Sequence, residues 1–240
     1  MRQGLVRLTL LVLVLLLIFG VYRLLTIEPI DAGAFFDAAG APLVLLDPGM
    51  FGENGQETLA ALDQTQGTDA VGLFVPVNLD EAGQLLVADP GAANASAVTL
   101  TALLAEHPDA RFVVELRKPD LQSLAALLHA VDSQGARDRV LAVVDDQQLV
   151  DVLRGQAPDL ATAMTTAEVS SFLLTSRLRL TPFYRPGAPA LLLPAAQFSG
   201  RLRDAAHSRG IALFVQSPND RSVVKDLIDQ GVDGVVVQRP

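Results

Sequence analysis

Acidic side chains stand at the ends of several apolar runs, where a metal ion or a proton-transfer reaction would need them. Asp47, Glu115, Asp145 and Asp146 each lie at or just after such a run. Hard cations such as Ca²⁺ and Mg²⁺ prefer carboxylate oxygens as ligands. Asp47 and Glu115 are therefore the candidate metal ligands, with Asp145 as a third.

Each of these acids also has a structural interpretation. The two adjacent aspartates precede a helical pattern that begins at Gln147, and acids at such positions cap free helix amides. Glu115 is two residues from Arg117 on the same strand face, so the two side chains can form a buried ion pair. Asp47 begins an Asp-Pro-Gly tripeptide, which is typical of a turn.

Other catalytic groups are scarce. The three histidines, His107, His129 and His207, all lie in predicted helices or at their ends, away from the strand ends. The chain has no cysteine, which excludes thiol nucleophiles and disulfides. It contains no Gly-x-Ser-x-Gly elbow, no phosphate-binding glycine-rich loop and no His-Glu-x-x-His motif. No cofactor is expected.

Neutral polar residues occur at the same predicted strand ends. Thr165, Thr166, Gln216, Ser217 and Gln238 suit hydrogen bonding to a small polar ligand better than clamping a phosphate. The predicted ligand-binding residues are Asp47, Glu115, Arg117, Gln216 and Gln238.

Eight short apolar runs alternate with amphipathic stretches and define the elements that would position these groups. Continuous apolar strands between helices predict a parallel sheet covered on its faces. Eight of them favour an α/β fold, a short (β/α)8 TIM-type barrel, with an open doubly wound sheet as the alternative. The predicted strands are 43–46, 71–77, 112–116, 140–144, 160–164, 190–193, 211–215 and 234–237. The predicted helices are 58–66, 100–107, 121–131, 147–154, 167–178, 198–208 and 221–229.

The predicted barrel is small. Because the last predicted strand ends close to Pro240, a helix in residues 32–39 is expected to cover the place where an eighth helix would pack. The expected domains are an anchor in residues 1–27, a linker or short helix in 28–41, and the barrel in 42–240.

The N-terminal segment has the composition of a membrane anchor. Leu8–Tyr22 is unbroken and apolar, and apolar residues continue to Ile27, which together are long enough to cross a bilayer if Arg23 reaches its edge. A cleavable signal peptide is the alternative. Arg2 and Arg7 precede the apolar run and acids follow it, so we expect a cytoplasmic N-terminus and an extracytoplasmic, periplasmic barrel.

Charge excludes one class of partner. The formal net charge is −9, and the residues after the anchor carry 15 basic and 27 acidic side chains. A domain this acidic repels nucleic acid, and no basic stripe is evident in the sequence. The expected partners are the membrane, a small polar ligand and a protein of the cell envelope.

Several segments, in order, resemble the glycerophosphodiester phosphodiesterase family. The resemblance covers about residues 42–240 and implies a (β/α)8 barrel with a small insertion after the second strand, shortened here to about 90–97. The segments are PLVLLDPG at 42–49, QETLAA at 56–61, GTDAVGLFVPVNLDEAGQLLVAD at 67–89, FVVELRK at 112–118, AAHSRGIALFVQ at 205–216 and GVDGVVVQRP at 231–240.

The resemblance also implies which functional positions have changed. In the family, one histidine ends the first strand and another follows the second, and they transfer protons; those positions hold Asp47 and Ala88 here. An arginine beside the first histidine holds the phosphate, and Pro48 takes its place. Two acids on the second strand bind a divalent cation, and Gly72 and Phe74 occupy their positions.

Only the acid of the third strand is kept, as Glu115, with Arg117 at the family's lysine position. Phosphodiester cleavage needs proton transfer and charge stabilisation on the phosphoryl group. The expectation is a non-catalytic binding or scaffold member. The alternatives are an active phosphodiesterase with a rebuilt Ca²⁺ or Mg²⁺ site at Asp47 and Glu115, or a protein-protein interaction module.

Overall fold

The computed structural model describes residues 10–15, 17–22, 29–30, 33–37, 42–47, 71–87, 98–217 and 221–238. Residues 10–15 and 17–22 are helical, and their apolar side chains are exposed. No helix within the described ranges is both long enough and apolar enough to cross a bilayer. Part of the predicted anchor lies outside the described residues, as do the predicted helix at 58–66 and the shortened insertion.

Within the described residues, eight parallel strands form the barrel sheet, and all eight were predicted. They are β1 (Leu43–Asp47), β2 (Val71–Leu79), β5 (Arg111–Leu116), β6 (Val140–Val143), β7 (Ala161–Thr162), β8 (Ala190–Pro194), β9 (Ala212–Ser217) and β10 (Gly234–Gln238). Their order in the sheet is β7-β6-β5-β2-β1-β10-β9-β8. The two outer strands, β7 and β8, meet through a parallel bridge between Ala163 and Ala190, so the sheet is a nearly closed barrel. The open doubly wound alternative is therefore wrong.

Helices connect the strands where the amphipathic patterns predict them. Side-chain caps define several helix starts: Asp120 accepts a hydrogen bond from the Ser123 amide at 2.7 Å, and Thr165 forms a reciprocal capping box with Glu168. The helices are α1 (Ala34–Asp37), α2 (Leu100–Glu106), α3 (Leu121–Ser133), α4 (Gln147–Gln156), α5 (Thr166–Arg177), α6 (Gly200–His207) and α7 (Arg221–Asp229).

A small antiparallel extension follows β2 and was not predicted. The strands β3 (Leu85–Val87) and β4 (Val98–Thr99) pair with each other, and β3 also pairs with the end of β2. Leu85 and Val87 are buried in the same apolar core as α2 and α3, which explains why this short strand is ordered.

Side chains of the strands alternate between two environments. One set packs outward against the helices in two apolar cores, and the other set fills the barrel interior. The interior set includes Leu45, Phe74, Val113, Leu141 and Phe214. The interior is therefore a packed apolar core, and polar chemistry is confined to its ends.

The helix expected in residues 32–39 is short, and it packs at the end of the barrel instead of on its outer face. Phe35 of α1 is 1% exposed and belongs to the interior core. A nitrogen of the Arg111 guanidinium donates a hydrogen bond to the Phe35 carbonyl, and the guanidinium lies 5.5 Å from the Phe35 ring centroid. Because Arg111 begins β5, α1 closes the amino-terminal end of the barrel. Burial lowers the pKa of Arg111.

Candidate functional site at the carboxyl ends of the strands

The alternation of side chains identifies which residues face the mouth of the barrel. Val113 and Phe214 belong to the interior core, and Glu115 and Gln216 lie two residues further along the same strands. Residues two apart share one face of a strand. Glu115 is only partly buried and Gln216 is exposed, as expected where the interior opens to solvent.

Glu115 forms an ion pair with Arg117. The Nε of Arg117 lies 2.9 Å from the Oε2 of Glu115, and the two side chains are 43% and 31% exposed. The predicted ion pair between these residues forms, but it is partly exposed instead of buried, and Arg117 lies one residue beyond the end of β5. The carboxylate that the resemblance assigns to metal binding is thus partly neutralised by a cation where the family has a lysine.

Asp47 and Gln238 are neighbours in the sheet. Strands β1 and β10 are parallel, and their register places Asp47 beside Gln238. Asp47 is the last residue of β1, and the rest of the predicted Asp-Pro-Gly turn lies outside the described residues. Ala88 lies outside the described residues. The proposed ligand-binding role of Asp47, Glu115, Arg117, Gln216 and Gln238 stays a prediction.

Asp146 is a helix cap, as predicted from its position. Its carboxylate accepts a hydrogen bond from the Leu149 amide at 2.9 Å and begins α4. This contact satisfies one of the free amides in the first turn.

Asp145 is hydrogen-bonded to the start of α5, which follows the neighbouring strand β7. Its two oxygens accept hydrogen bonds from the Thr166 amide at 2.7 Å and the Thr166 hydroxyl at 2.8 Å. The Thr165 hydroxyl donates to Gln147 Oε1 at 2.8 Å. Both threonines, expected as ligand-binding groups, are thus used in local structure.

The second-strand positions that the resemblance assigns to metal ligands are apolar and packed. Phe74 is 5% exposed within the interior core. A side chain at Gly72 would collide with Leu45 and with the Arg111 carbonyl, so the backbone leaves no room for an acid there. The described residues contain no group of three or more His, Asp or Glu side chains able to hold a metal ion.

The histidines lie away from the mouth, as predicted. His107 ends α2 and precedes β5, and His207 ends α6, so both are near the amino ends of the strands. The Nε2 of His207 lies 2.7 Å from Asp233 Oδ2, which also accepts from the Leu213 amide. His129 is exposed on the outer helix α3.

Sequence reasoning missed an ion pair behind β7. Arg154 donates to both oxygens of Glu168, at 2.7 and 3.0 Å, and its Nε donates to Thr162 at 2.9 Å. Burial alone would raise the pKa of Glu168, but hydrogen bonds from Arg154 and from the Thr165 amide outweigh it and lower that pKa. The two residues are fourteen apart on different helices, so no local pattern indicates the pair.

Comparison with known proteins gives a match in structure but none in sequence. No protein-family model and no curated protein sequence matches the chain. Solved structures of glycerophosphodiester phosphodiesterases do match. The enzyme from Agrobacterium tumefaciens str. C58 superposes with a TM-score of 0.63 at 17% identity, covering 83% of this chain and 98% of that one.

Two further structures give the same result. A putative glycerophosphoryl diester phosphodiesterase from Silicibacter pomeroyi has a TM-score of 0.62 at 15% identity, covering 82% of this chain and 90% of that one. A phosphodiesterase from Oleispira antarctica, solved with the product sn-glycerol-3-phosphate, has a TM-score of 0.62 at 16% identity, covering 83% and 94%. The chain has the barrel fold of the glycerophosphodiester phosphodiesterases.

Proposed function

We propose that this chain is a non-catalytic relative of the glycerophosphodiester phosphodiesterases, held at the membrane by its N-terminal segment. Its barrel mouth binds a small polar ligand or serves as a scaffold for a protein of the cell envelope. The single observation that carries the proposal is the replacement of the second-strand acids by Gly72 and by the buried ring of Phe74.

Loss of those acids removes the machinery for cleavage. A divalent cation needs several oxygen ligands, and Glu115, the acid that remains on the third strand, is paired with Arg117. Each proton-transfer group typically accelerates a reaction by about 10²–10⁴-fold. With Asp47 and Ala88 at the two histidine positions, neither proton transfer has an imidazole.

The remaining polar groups favour ligand binding. Glu115, Arg117 and the exposed amide of Gln216 lie at the mouth, and Asp47 and Gln238 end two further strands there. These side chains donate and accept hydrogen bonds, and the charges of Glu115 and Arg117 cancel each other. Such a group suits a small polar molecule. The solved relative that carries sn-glycerol-3-phosphate makes a glycerol-containing polar ligand the first to test.

A membrane anchor in residues 1–27 is supported by the sequence and by the exposure of the N-terminal helical residues. Apolar side chains are exposed all around that segment, for example Leu11 and Leu17, so the barrel does not bury them. A segment apolar on every face needs an apolar environment. Within the described ranges the helix is too short to span a bilayer, and the flanking apolar residues of the sequence supply the remaining length.

Binding measured on the full-length chain in detergent tests the proposal. We expect calorimetric titration with glycerophosphocholine, which carries no net charge, to give saturable binding that Glu115→Ala weakens and that proceeds without product formation. A matched control is Asp146→Ala, which removes the helix cap of α4 at the same end of the barrel and should leave binding unchanged. Turnover of the diester would contradict the proposal.

A further inference from the structure

An exposed apolar surface surrounds the C-terminal end of α5. Leu174, Leu178, Leu180 and Phe183 are between 42% and 59% exposed. Apart from the N-terminal helical residues, just two other large apolar side chains of the described part reach comparable exposure, Leu121 and Val152. A contiguous apolar group of this kind on an otherwise polar surface indicates a contact site.

The same surface is basic. Arg177, Arg179 and Arg185 are exposed among or next to these apolar residues in the sequence, and no described acid forms an ion pair with any of them. The sequence contains no acid between Glu168 and Asp204, although the whole chain has a net charge of −9. We call these three arginines and the four apolar residues the α5 surface.

The α5 surface lies near the amino-terminal end of the barrel. The connection that follows α5 leads to the start of β8, and all eight barrel strands are parallel, so this connection is at the end opposite the mouth. The chain enters the barrel at the same end. The Ile30 amide donates to the Arg209 carbonyl at 3.0 Å, directly after α6, and α6 packs beside α5.

The connection to the apolar N-terminal segment is short. The apolar run of the sequence ends at Ile27, three residues before Ile30 is hydrogen-bonded to the barrel. Three residues extend at most about 11 Å. If the run is inserted in a bilayer, the amino-terminal end of the barrel must lie close to the lipid headgroups.

We propose that the α5 surface contacts an anionic lipid bilayer, which holds the amino-terminal end of the barrel on the membrane and directs the mouth away from it. The inference rests on the proposed membrane anchor. Leucine and phenylalanine side chains enter the interface, and each arginine near an anionic surface strengthens binding about five-fold.

The charge of the α5 surface favours lipid over a second copy of this chain. A two-fold contact through this surface would bring the arginines of one copy against those of the other, and like charges repel. An anionic headgroup layer offers the opposite charge and an apolar layer beneath it. One bilayer therefore offers a complementary partner both to the arginines and to the apolar side chains of the α5 surface.

A tryptophan reporter tests the contact, because the chain contains no tryptophan. We expect emission from Phe183→Trp, in the full-length chain reconstituted in phosphatidylglycerol-containing vesicles, to be quenched by brominated acyl chains. Leu121→Trp is the matched control. It is 66% exposed at the start of α3, on the mouth side, and should not be quenched. Leu178→Trp is a second reporter if Phe183→Trp folds poorly.

Charge reversal provides the specific test. Changing Arg177, Arg179 and Arg185 together to glutamate should abolish quenching at position 183. The protein should still float with the vesicles. Flotation at about 1 M salt, where surface electrostatics are screened, reports the anchor separately. If the Phe183→Trp protein floats with the vesicles at high salt but is not quenched, the proposed contact of the α5 surface is wrong and the anchor is supported.

Other outcomes are equally decisive. Quenching at low salt with flotation lost at high salt supports the α5 surface and contradicts the anchor. Equal quenching of the reporters at 183 and 121 contradicts the orientation. Emission from 183 that shifts to the blue with protein concentration and is insensitive to brominated lipid means that two copies meet there, which overturns the proposal.

Discussion

The Nε of Arg117 lies 2.9 Å from the Oε2 of Glu115 at the mouth of the barrel. The resemblance assigns Glu115 to metal binding, yet its structural partner is a guanidinium on the same strand face. A half-exposed pair of this kind stabilises a fold by about 0–1 kcal/mol. We therefore expect the pair to contribute more to ligand binding at the mouth than to stability.

The first prediction separates these two roles. Glu115→Ala should lower the free energy of unfolding by at most about 1 kcal/mol, because solvent screens the pair. The same change should strongly weaken binding of the polar ligand. Chemical denaturation and calorimetric titration measure the two quantities, and Glu115→Gln, which keeps the shape of the side chain, is the control. A large loss of stability with unchanged binding would mean that the pair is structural.

The second prediction concerns the buried ring in the barrel. Phe74→Asp restores the acid that the resemblance expects, but it removes a buried ring and places a carboxylate among apolar side chains such as Val113 and Leu45. We expect the free energy of unfolding to fall by about 4 kcal/mol or more. Phe74→Leu keeps the site apolar and should cost less than about 1.5 kcal/mol. A stable Phe74→Asp protein that binds Mg²⁺ would contradict the packed interior.

The third prediction follows from the pKa of Glu168. The pKa of Glu168 is lowered in the folded state from its ordinary value of 4.5. The ion pair with Arg154 therefore stabilises the folded protein fully at pH values above 4.5. This contribution is lost as the pH falls below that value through the folded-state pKa. Glu168→Gln weakens charged hydrogen bonds, so it should cost about 2–3 kcal/mol at neutral pH and progressively less in acid.

Unfolding monitored from pH 7 to pH 3 measures this difference. Asp132→Asn, which breaks the exposed ion pair with Arg137, is the control and should have a much smaller effect at neutral pH. If Glu168→Gln were as destabilising at low pH as at neutral pH, the charge of Glu168 would not be the cause.

The fourth prediction distinguishes the rebuilt metal site from a non-catalytic mouth. A cation that binds the folded state raises the melting temperature. Since Asp145 is hydrogen-bonded to Thr166 and Glu115 is paired with Arg117, we expect no shift with Ca²⁺ or Mg²⁺ at millimolar concentration. A saturable rise that Glu115→Ala abolishes would support the metal site instead.

The fifth prediction tests the proposed topology. The chain has no cysteine, so a single introduced thiol reports its own location. In intact cells, Leu121→Cys on the exposed start of α3 should react with a membrane-impermeant thiol reagent. Gln3→Cys, which precedes the apolar run, should react only after the membrane is permeabilised. Labelling of both thiols, or of neither, in intact cells contradicts a cytoplasmic N-terminus with an outer barrel.

Local patterns were sufficient for most of the barrel. Each parallel strand is buried on both faces, so it appears as a short apolar run, and the predicted helix at Arg221–Asp229 has the bounds of α7. Strand β7 is shorter than its apolar run because Ala163 forms just an isolated bridge and Thr165 already caps α5. The antiparallel β3 was missed because three residues give no detectable alternation.

Features that depend on distant residues were not predictable from the sequence. The Arg154–Glu168 pair joins two helices, and the role of Phe35 at the barrel end depends on how the chain enters the barrel. The net charge of the sequence did not indicate the exposed arginines of the α5 surface. An average over an acidic chain hides an acid-free stretch that the fold leaves exposed.

Phosphodiester hydrolysis is the most direct measurement of the central claim. Full-length protein is incubated with glycerophosphocholine and either Ca²⁺ or Mg²⁺, and ³¹P resonance follows the appearance of sn-glycerol 3-phosphate. We predict no product above the rate without protein, for the wild type and for Glu115→Ala alike. Sustained product formation by the wild type that Glu115→Ala eliminates would contradict a non-catalytic barrel.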